Sequence, residues 1–244
     1  TRRSNSNKVR FQLRGDLSED RRHYDDYIIP LFNKEVMNPI FSRDVSITSD
    51  RNKNVYGLAL ETTKIEKEFN NIGIPSGRKG ELYIPDWIKE NKKYLLRFLR
   101  GFMDTDGSIS CQRNYSIKNN KYHTQIRIYL ACTSKNMMKE ISKLLNNLNY
   151  RLLFRRGKRN LPFRDIYRVT LSGEIQTNKW FEEIRSRNPK HFTKYFVWKK
   201  FGFCPPYTTL DERVKILKEG VPPYDYYKRR FQSGQMSMDE VHVA

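Results

Sequence analysis

The order of strands and helices predicted along this chain occurs twice, and this repeat restricts the possible folds more than any other feature. In the first half, a strand from Lys8 to Arg14 precedes a helix over residues 19–37, and a hairpin and a short helix follow. The second half repeats that order, and corresponding points such as Ser18 and Ser134 keep a nearly constant separation. A duplication explains this, although helix and hairpin order is common enough that coincidence is the alternative.

Hydrophobic periodicity defines the individual elements. Val9, Phe11 and Leu13 alternate with polar residues, which predicts a strand with one face toward a core and one basic face. Ser18 is a good N-cap for the helix that follows. The other predicted elements are the hairpins Val45–Thr48 with Val55–Leu60 and Arg151–Arg156 with Asp165–Leu171, the strand Gln125–Leu130, and the helices Lys64–Asn71, Ser134–Leu148, Lys179–Arg185 and Leu210–Lys218.

The charge balance indicates a polyanionic partner. The 244 residues include 47 Lys and Arg against 27 Asp and Glu, which gives a formal net charge of +20. Because the basic residues are spread over many segments, nucleic acid is favoured over a membrane surface. No apolar run is long enough to cross a bilayer and no signal peptide is recognisable, so we expect an intracellular protein of undetermined compartment. Three widely spaced cysteines indicate neither a disulfide framework nor a zinc site.

One segment carries the residues expected for chemistry. The helix-like residues 94–103 lead into Asp104-Thr105-Asp106-Gly107, and Gly101 lies on the preceding helix. A glycine on a helix face allows close approach of a partner helix, and carboxylates at the helix end suit Mg²⁺. Asp before Gly is also ordinary turn chemistry, so the alternative is that these residues only end a helix.

The run Leu99–Gly107 resembles the LAGLIDADG signature, and its flanks extend the resemblance over most of the chain. Gly73-Ile74-Pro75 with Lys79, Ile84-Pro85 with Trp87-Ile88, and Phe98-Leu99-Arg100-Gly101 follow in the order found in intron- and intein-associated members. On these residues the chain is identified as resembling the LAGLIDADG homing endonucleases of the two-repeat, pseudo-symmetric type.

The resemblance implies an α/β (α+β) fold of two αββαββα repeats, with antiparallel sheets as saddles and motif helices packed at their interface. It implies an N-terminal half over residues 1–90, a C-terminal half over 91–205 with its motif helix over 95–106, and a C-terminal extension over 206–244. We assign the extension no function at this stage.

The resemblance also implies a metal site and two lysines beside it. Asp106 corresponds to the acid that each motif helix contributes to a cluster of Mg²⁺ (or Mn²⁺) ions, and the Thr105 carbonyl is a further candidate ligand. Asp104 is expected to organise the helix end. Lys79 and Lys194 lie where the family keeps an active-site lysine, just after the last helix of each repeat, and the alternative for both is a solvated lysine.

Duplex DNA is the implied partner, bound in successive major grooves by polar strand faces. Arginine and glutamine there can read base edges, whereas lysine mainly holds phosphates, and about half of the candidates are expected to touch DNA. The candidates are Lys8, Arg10, Gln12, Arg14, Arg43, Arg51, Lys53, Lys121, Gln125, Arg127, Tyr129, Arg155, Lys158, Arg164 and Arg168.

The implied function is site-specific, metal-dependent double-strand cleavage of DNA at a long site, as in intron homing. The alternative is a DNA- or RNA-binding relative without cleavage, such as a splicing maturase or a transcription regulator. The strand at Lys8 is taken as the one that follows a motif helix, so a first motif helix is expected immediately upstream of Thr1. The second acid would then come from that helix in a pseudo-symmetric monomer, or from a complementing chain, and these 244 residues are not expected to cut DNA unaided.

Overall fold

The computed structural model describes residues 9–75, 82–111, 125–160, 162–223 and 226, and the backbone of two short strands, Asn114–Ser116 and Lys121–His123. Lys8 and Lys79 lie outside the described residues, as does the side chain of Lys121. No helix within the described ranges has the length and apolar character needed to cross a membrane.

The first half is a three-stranded antiparallel sheet covered on one face by helices. Its elements are β1 (Arg10–Asp16), α1 (residues 21–41), β2 (Ile47–Asp50), β3 (Val55–Glu61) and α2 (Thr63–Asn71). The strand order is β1-β3-β2. Phe11 and Leu13 point into the core with Leu58, as period-two alternation predicts, because they face buried residues of α1 and α2.

Helix α1 contains two wider turns, each placed directly before a proline. The N–H of Ile29 donates to the carbonyl of Tyr24, and that of Asn38 donates to Asn33, five residues back in each case. Pro30 and Pro39 follow; neither has an N–H for a normal helical bond, so the chain widens locally instead of breaking. The helix continues to residue 41, four residues beyond its predicted end.

The second half has the same layout with one more strand in its main sheet. Its elements are α3 (Asp86–Lys89), α4 (Lys92–Asp106), β4 (Gly107–Ser110), β5 (Asn114–Ser116), β6 (Lys121–His123), β7 (Arg127–Cys132), α5 (Lys135–Asn147), β8 (Leu153–Gly157), β9 (Ile166–Ser172), α6 (Glu174–Glu183), α7 (Pro189–Phe201) and α8 (Leu210–Glu219). The main sheet has the order β4-β7-β9-β8, and β5 pairs with β6.

Comparison of the two sheets corrects the position of the first strand. The order β1-β3-β2 matches β7-β9-β8, so β1 is the counterpart of β7 and the alignment of these two strands in the repeat is confirmed. The expectation that this strand corresponds to the one following Gly107 is wrong. That strand is β4, which pairs with the outer side of β7, and in the described residues the same side of β1 carries no strand.

The segment that joins the halves is bound to the second half. The N–H of Leu82 donates to the hydroxyl of Ser134 (3.1 Å), and the N–H of Ile84 donates to Glu140 (2.7 Å). Ile84 and Ile88 are buried in the core formed by α4, α5 and the four-stranded sheet. The entry into α4 is therefore held against the second core by both apolar contacts and hydrogen bonds.

A buried polar network connects the two halves. Asn188 donates from its side-chain amide to Asp20 of the first half (2.7 Å) and to the backbone carbonyl of Asp104 at the end of α4 (3.0 Å). The ammonium of Lys190 lies 2.8 Å from the same Asp20 carboxylate. Although burial opposes ionisation of Asp20, hydrogen bonds from Lys190 and Asn188 hold its pKa below the ordinary value of 3.8.

Asp20→Asn is therefore expected to destabilise the protein, because it leaves the half-buried Lys190 ammonium without its carboxylate. We expect a loss of about 3 kcal/mol in the free energy of unfolding at neutral pH. Since the pKa of Asp20 is lowered in the folded state, its contribution is present above pH 3.8 and is lost as the pH falls through the folded value. Urea unfolding of both proteins between pH 7 and pH 3 measures this.

The matched control is Asp26→Asn, an exposed carboxylate on the same helix. It should change the free energy of unfolding by less than about 0.5 kcal/mol. Equal stability of Asp20→Asn and the parent protein at pH 7 would show that the network does not hold the halves together.

Candidate metal and nucleic-acid site

The motif helix α4 begins and ends where its local sequence requires. The Asn91 side chain accepts hydrogen bonds from the N–H groups of Lys93 (2.9 Å) and Tyr94 (3.2 Å), which caps the helix start. At the other end the chain turns directly into β4 at Gly107. A Cβ at Gly107 would lie 2.4 Å from the Met103 sulfur and 2.5 Å from the Met103 carbonyl oxygen, so a side chain has no room there.

The two aspartates of the motif have opposite environments because residues two apart on a helix lie about 200° apart. Asp104 is buried and Asp106 is exposed. The Thr105 hydroxyl lies 3.2 Å from the Asp106 carboxylate and also donates to the carbonyl of Gly101 (3.0 Å). The last carbonyls of an α-helix have no partner within it, so the Thr105 carbonyl remains a candidate ligand beside Asp106.

Asp106 also lies close to the first half. Burial, and after it the charges of Asp20 and Asp106, raise the pKa of the Tyr24 hydroxyl to about 12. Tyr24 lies on α1, and its ring would meet a Cβ placed on Gly15 at 2.7 Å. The end of the motif helix therefore faces the β1–α1 turn of the first half.

Asp104 organises the loop that follows α6 as well as its own helix end. Its carboxylate accepts hydrogen bonds from the hydroxyl of Ser186 and from the backbone N–H groups of Arg187 (3.0 Å) and Asn188 (3.3 Å). Burial raises the pKa of Asp104, and these hydrogen bonds oppose the rise. Because the loop leads directly into α7, Asp104 fixes the place from which the basic residues of α7 extend.

Lys194 lies inside a helix that the sequence reading missed. It was expected just after the last helix of its repeat; α6 does precede it, but Lys194 lies in the second turn of α7. Asn188 caps α7 and Pro189 is its first residue, two signals that could have located this helix. Its apolar residues, however, lie on all sides of the helix, so hydrophobic periodicity gave no sign of it.

Lys194 lines a cavity of about 500 Å³ beside the end of the motif helix. The walls of this Lys194 cavity are residues 107–109, Asp16 and Glu19 of the first half, Lys190 with Lys194, and residues 204–209 of the C-terminal segment. Burial, followed by the charge of Arg213, lowers the pKa of Lys194. Lys194 therefore lies where the end of α4 meets the β1–α1 turn of the first half, a place called the junction below. Lys79 lies outside the described residues.

The histidines and cysteines of the described residues do not form a metal site. Burial lowers the pKa of both His23 and His191, which favours their neutral forms. No group of three or more His, Cys, Asp or Glu residues lies within reach of one ion in the described part of the chain. None of the three cysteines forms a disulfide in the described structure, and Cys111 and Cys204 are buried.

The outer face of the four-stranded sheet carries a basic groove. Strand register places Arg155 directly opposite Arg168, and Arg127 lies on the same face two positions beyond Tyr129. The Arg168 guanidinium lies 5.3 Å from the centre of the Tyr129 ring. Like charges directly opposite each other destabilise a sheet, so this face is better suited to bind an anion than to stabilise the free protein.

The remaining candidates of the second half lie around this groove. Gln125 accepts a hydrogen bond from Arg127 (2.9 Å), and Lys158 and Arg164 are exposed at the β8–β9 hairpin. In the first half, Arg10, Gln12 and Arg14 occupy the outer face of β1, as predicted. Arg43 is exposed after α1, and Arg51 and Lys53 are exposed in the β2–β3 turn, where Lys53 is paired with Asp50 (3.0 Å).

Sequence reasoning missed the small polar residues of the same groove. Thr170 and Ser172 alternate with the buried Val169 and Leu171 on β9, and Thr170 is directly opposite Tyr129. Period-two alternation is the signal that could have located them, whereas net charge indicates only the basic residues. Ser108, next to Gly107, faces Tyr129 from β4 and extends this polar face to the end of the motif helix.

The motif helix, its buried Asp104 and the four-stranded sheet all lie in a part of the chain that matches a known family. Residues 93–185 match the family model described as LAGLIDADG-like domain. Over these residues the second half of the chain is therefore similar to LAGLIDADG-like domains. The LAGLIDADG match covers the motif helix, the four-stranded sheet, α5 and α6; the sequence has no match among curated proteins.

Solved structures share the fold at low sequence identity. A structure of I-DmoI in complex with DNA and Mn has a TM-score of 0.51 and 16% identity over 75% of this chain and 85% of its own. A structure of I-SmaMI bound to an uncleaved DNA target with calcium ions has a TM-score of 0.51 and 11% identity over 94% of this chain and 88% of its own. This likeness confirms the α/β fold with two antiparallel sheets.

Replacing Arg155 or Arg168 by Ala is expected to affect binding and stability in opposite directions. Each variant should bind duplex DNA more weakly and should lower the slope of log K against log salt concentration by about one. Each should also raise the free energy of unfolding by about 0.5 kcal/mol, because a repulsive cross-strand pair is removed. Fluorescence anisotropy in a salt series and urea unfolding measure the two effects.

Lys218→Ala serves as the control, since this exposed cation lies on α8 and not in the groove. It should leave the salt slope unchanged. An Arg155→Ala variant with an unchanged slope would exclude this groove as the contact surface for DNA.

Proposed function

We propose that this protein is a site-specific, metal-dependent endonuclease of the LAGLIDADG type that hydrolyses double-stranded DNA. The observation that carries the proposal is the state of five carboxylates at the junction of the two halves. Asp16, Glu19, Asp20 and Asp104 are each engaged by hydrogen bonds or cations, whereas the exposed Asp106 contacts only the Thr105 hydroxyl in the described structure. Asp106 is thus the carboxylate that is available to a ligand.

The donor set at the end of the motif helix fits a divalent cation. A carboxylate and a neighbouring backbone carbonyl are hard oxygen ligands, which Mg²⁺ and Mn²⁺ prefer. Asp106 and the Thr105 carbonyl would hold such an ion. When bound, it would supply an activated water and charge neutralisation at the scissile phosphate.

The remaining residues have separate tasks around that point. Lys194, with its lowered pKa, would orient water or move a proton at its Nζ atom in the cavity beside residues 107–109. Lys79 is proposed for the equivalent task in the first half. The arginines of the sheet grooves would position the DNA so that a phosphate reaches Asp106.

One acid at one helix end provides only part of such a site, and the surface of α4 indicates where the other part binds. A Cβ on Gly101 would meet no atom within 4 Å, so the glycine has no packing reason within the described structure. It lies in a groove of about 450 Å³ between α4 and α1, lined by Arg97, Thr105, Tyr27 and Leu31 among others. We propose that a second LAGLIDADG helix packs in this groove and brings the second acid beside Asp106, either within a pseudo-symmetric monomer or from a complementing chain.

In this proposal the halves of residues 1–90 and 91–205 each contribute one DNA-binding sheet, and α4 of the second half is paired with the second motif helix. We further propose that the protein acts in intron homing, that Mg²⁺ is its natural ion and that it works inside the cell. The I-DmoI and I-SmaMI structures named above contain DNA with manganese and with calcium, respectively, which supports duplex DNA and a divalent ion as partners of this fold.

The second candidate is a relative that binds DNA or RNA without cleavage, such as a maturase or a regulator. One observation favours it: the described residues contain no cluster of three or more metal-ligating side chains. The two functions share the basic sheets and differ only in the need for Asp106.

Asp106→Asn is expected to abolish cleavage while DNA binding remains. With a second motif helix supplied by fusion or co-expression, the protein should cut a selected site from a randomised duplex library in Mg²⁺. The variant should lower the rate by about a hundredfold or more, because the carboxylate charge that holds the ion is removed. Gel analysis of cleaved ends and anisotropy of the bound duplex measure the two properties.

Asp44→Asn removes an exposed carboxylate away from the junction and should cut normally. Binding of a selected site without cleavage in Mg²⁺, Mn²⁺ or Ca²⁺ would instead support the maturase or regulator.

Gly101→Ala is expected to stabilise this chain and to impair assembly of the full site. Alanine in the middle of a helix is favoured over glycine by about 1 kcal/mol, and here the added methyl group meets no neighbour. The same methyl group would hold a partner helix away from α4, so cleavage by the complemented protein should fall. Asn146→Ala, at an exposed position of α5, is the control and should stabilise without a loss of cleavage. Undiminished cleavage by Gly101→Ala would exclude close helix approach at this position.

A further inference from the structure

The C-terminal segment, residues 203–219, contains a fully buried arginine that binds three separate parts of the chain. Arg213 on α8 donates from Nε to the hydroxyl of Thr193 (3.0 Å), from one terminal nitrogen to the Thr208 carbonyl, and from the other to the carboxylate of Glu19 (2.5 Å). A buried guanidinium is costly unless its donors are engaged, and each of its three nitrogens makes one of these bonds. A large apolar residue would fill the same space at lower cost, so the charge itself calls for an explanation.

Glu19 holds the C-terminal segment to the first half. Its carboxylate accepts a hydrogen bond from the N–H of Leu210 (3.0 Å) in addition to those from Arg213. Glu19 belongs to the turn between β1 and α1, next to the Asp20 that binds Lys190. The start of α8 is thus fixed to the same turn that faces the end of the motif helix.

The segment is also fixed to the second half and forms a wall of the Lys194 cavity. The N–H of Cys204 donates to the carbonyl of Cys111, just beyond β4 (2.9 Å). Residues 204–209 then line the cavity opposite residues 107–109. Thr209 caps α8 in a capping box with Glu212, which ends the wall and begins the helix at a defined position.

Thr193 connects Arg213 to Lys194, because it is the preceding residue on α7. Its hydroxyl accepts from Arg213 and donates to the carbonyl of Pro189 one turn earlier (2.6 Å). Arg213 thereby fixes the first turns of α7 against the cavity wall. The guanidinium charge also acts on the Lys194 amine through a mostly buried medium.

We propose that residues 203–219 are part of the active site and that Arg213 is a positioning residue for Lys194. The proposal rests on the nuclease function proposed above for the same junction. It assigns a role to a segment outside the LAGLIDADG-like match of residues 93–185. The consequence is that a change on α8 alters the chemistry at Lys194 without contacting DNA.

The first test follows the Lys194 amine directly by NMR of protein labelled with ¹³C at the lysine ε-carbon, with the signal assigned by its loss in Lys194→Met. The charged and titratable groups that act on this amine are Arg213, Cys111, Glu19 and Cys204, together with His191 on its own helix. Arg213→Met should move the titration of Lys194 to higher pH, because the neighbouring cation is lost. Glu19→Gln/Arg213→Met should move it in the same direction by less, since Glu19 acts oppositely and more weakly.

The double variant keeps the test valid if Arg213→Met alone fails to fold. It removes both charges of the buried pair, an exchange that proteins often tolerate. Lys215→Met, an exposed cation on the same helix, is the control and should leave the Lys194 titration unchanged. A Lys194 titration that is unmoved in a folded Glu19→Gln/Arg213→Met protein overturns the proposal.

The second test measures cleavage by the complemented protein. We expect the double variant to lower kcat about tenfold while the Kd for the DNA site changes less than about threefold, as for a group that acts in proton transfer rather than binding. The part of the pH–rate profile that reports Lys194 is identified by its loss in Lys194→Met. In the double variant this part of the profile should move to higher pH. If the double variant loses stability and DNA affinity to the same degree as kcat, and the pH dependence of its cleavage rate is unchanged, Arg213 has a purely structural role. That outcome would overturn the proposal. Failure of the parent protein to cut any site would refute the nuclease function alone, because the NMR titration does not depend on cleavage.

Discussion

The buried carboxylate of Asp104 is the interaction on which the rest of the structure depends. It accepts hydrogen bonds from Ser186, Arg187 and Asn188, and it therefore fixes the loop before α7 against the end of the motif helix. Asn188 extends this contact to Asp20 in the first half. Because a carboxylate in this position is stable only with its donors in place, the relative positions of the motif helix, α7 and the first half are specified together.

The helical repeat then determines the role of Asp106. With Asp104 turned into the protein, a residue two positions later must point away from it, toward the junction and solvent. Gly107 allows the chain to enter β4 at once, which keeps this exposed carboxylate at the end of the polar sheet face that begins with Ser108. One motif thus supplies both an internal anchor and an external ligand.

The distribution of charge separates binding from chemistry. The protein carries a net charge of +20, and its arginines occupy the outer faces of the sheets even where Arg155 and Arg168 oppose each other directly. At the junction of the two halves, in contrast, Lys190 and Arg213 neutralise the carboxylates of Asp20 and Glu19. Among the five carboxylates at this junction, Asp106 is the exposed one that a polyanion attracted to the sheets would meet without a cationic partner in the described residues.

The sequence by itself determined the repeat, most strands to within about two residues and the exposure of β1's basic face, because alternation and capping are local properties. It also located the run that resembles the LAGLIDADG motif and predicted that Asp104, rather than Asp106, organises the helix end. The repeat aligned β1 with β7, but β1 was also matched to the strand after Gly107, and only the pairing of strands distant in sequence decided between the two. The sequence also missed helix α7, whose apolar residues lie on every side. Only the tertiary structure decided that Glu19, Lys194 and Arg213 share one junction, since 194 residues separate the ends of that ion pair and no local pattern records a contact across such a distance.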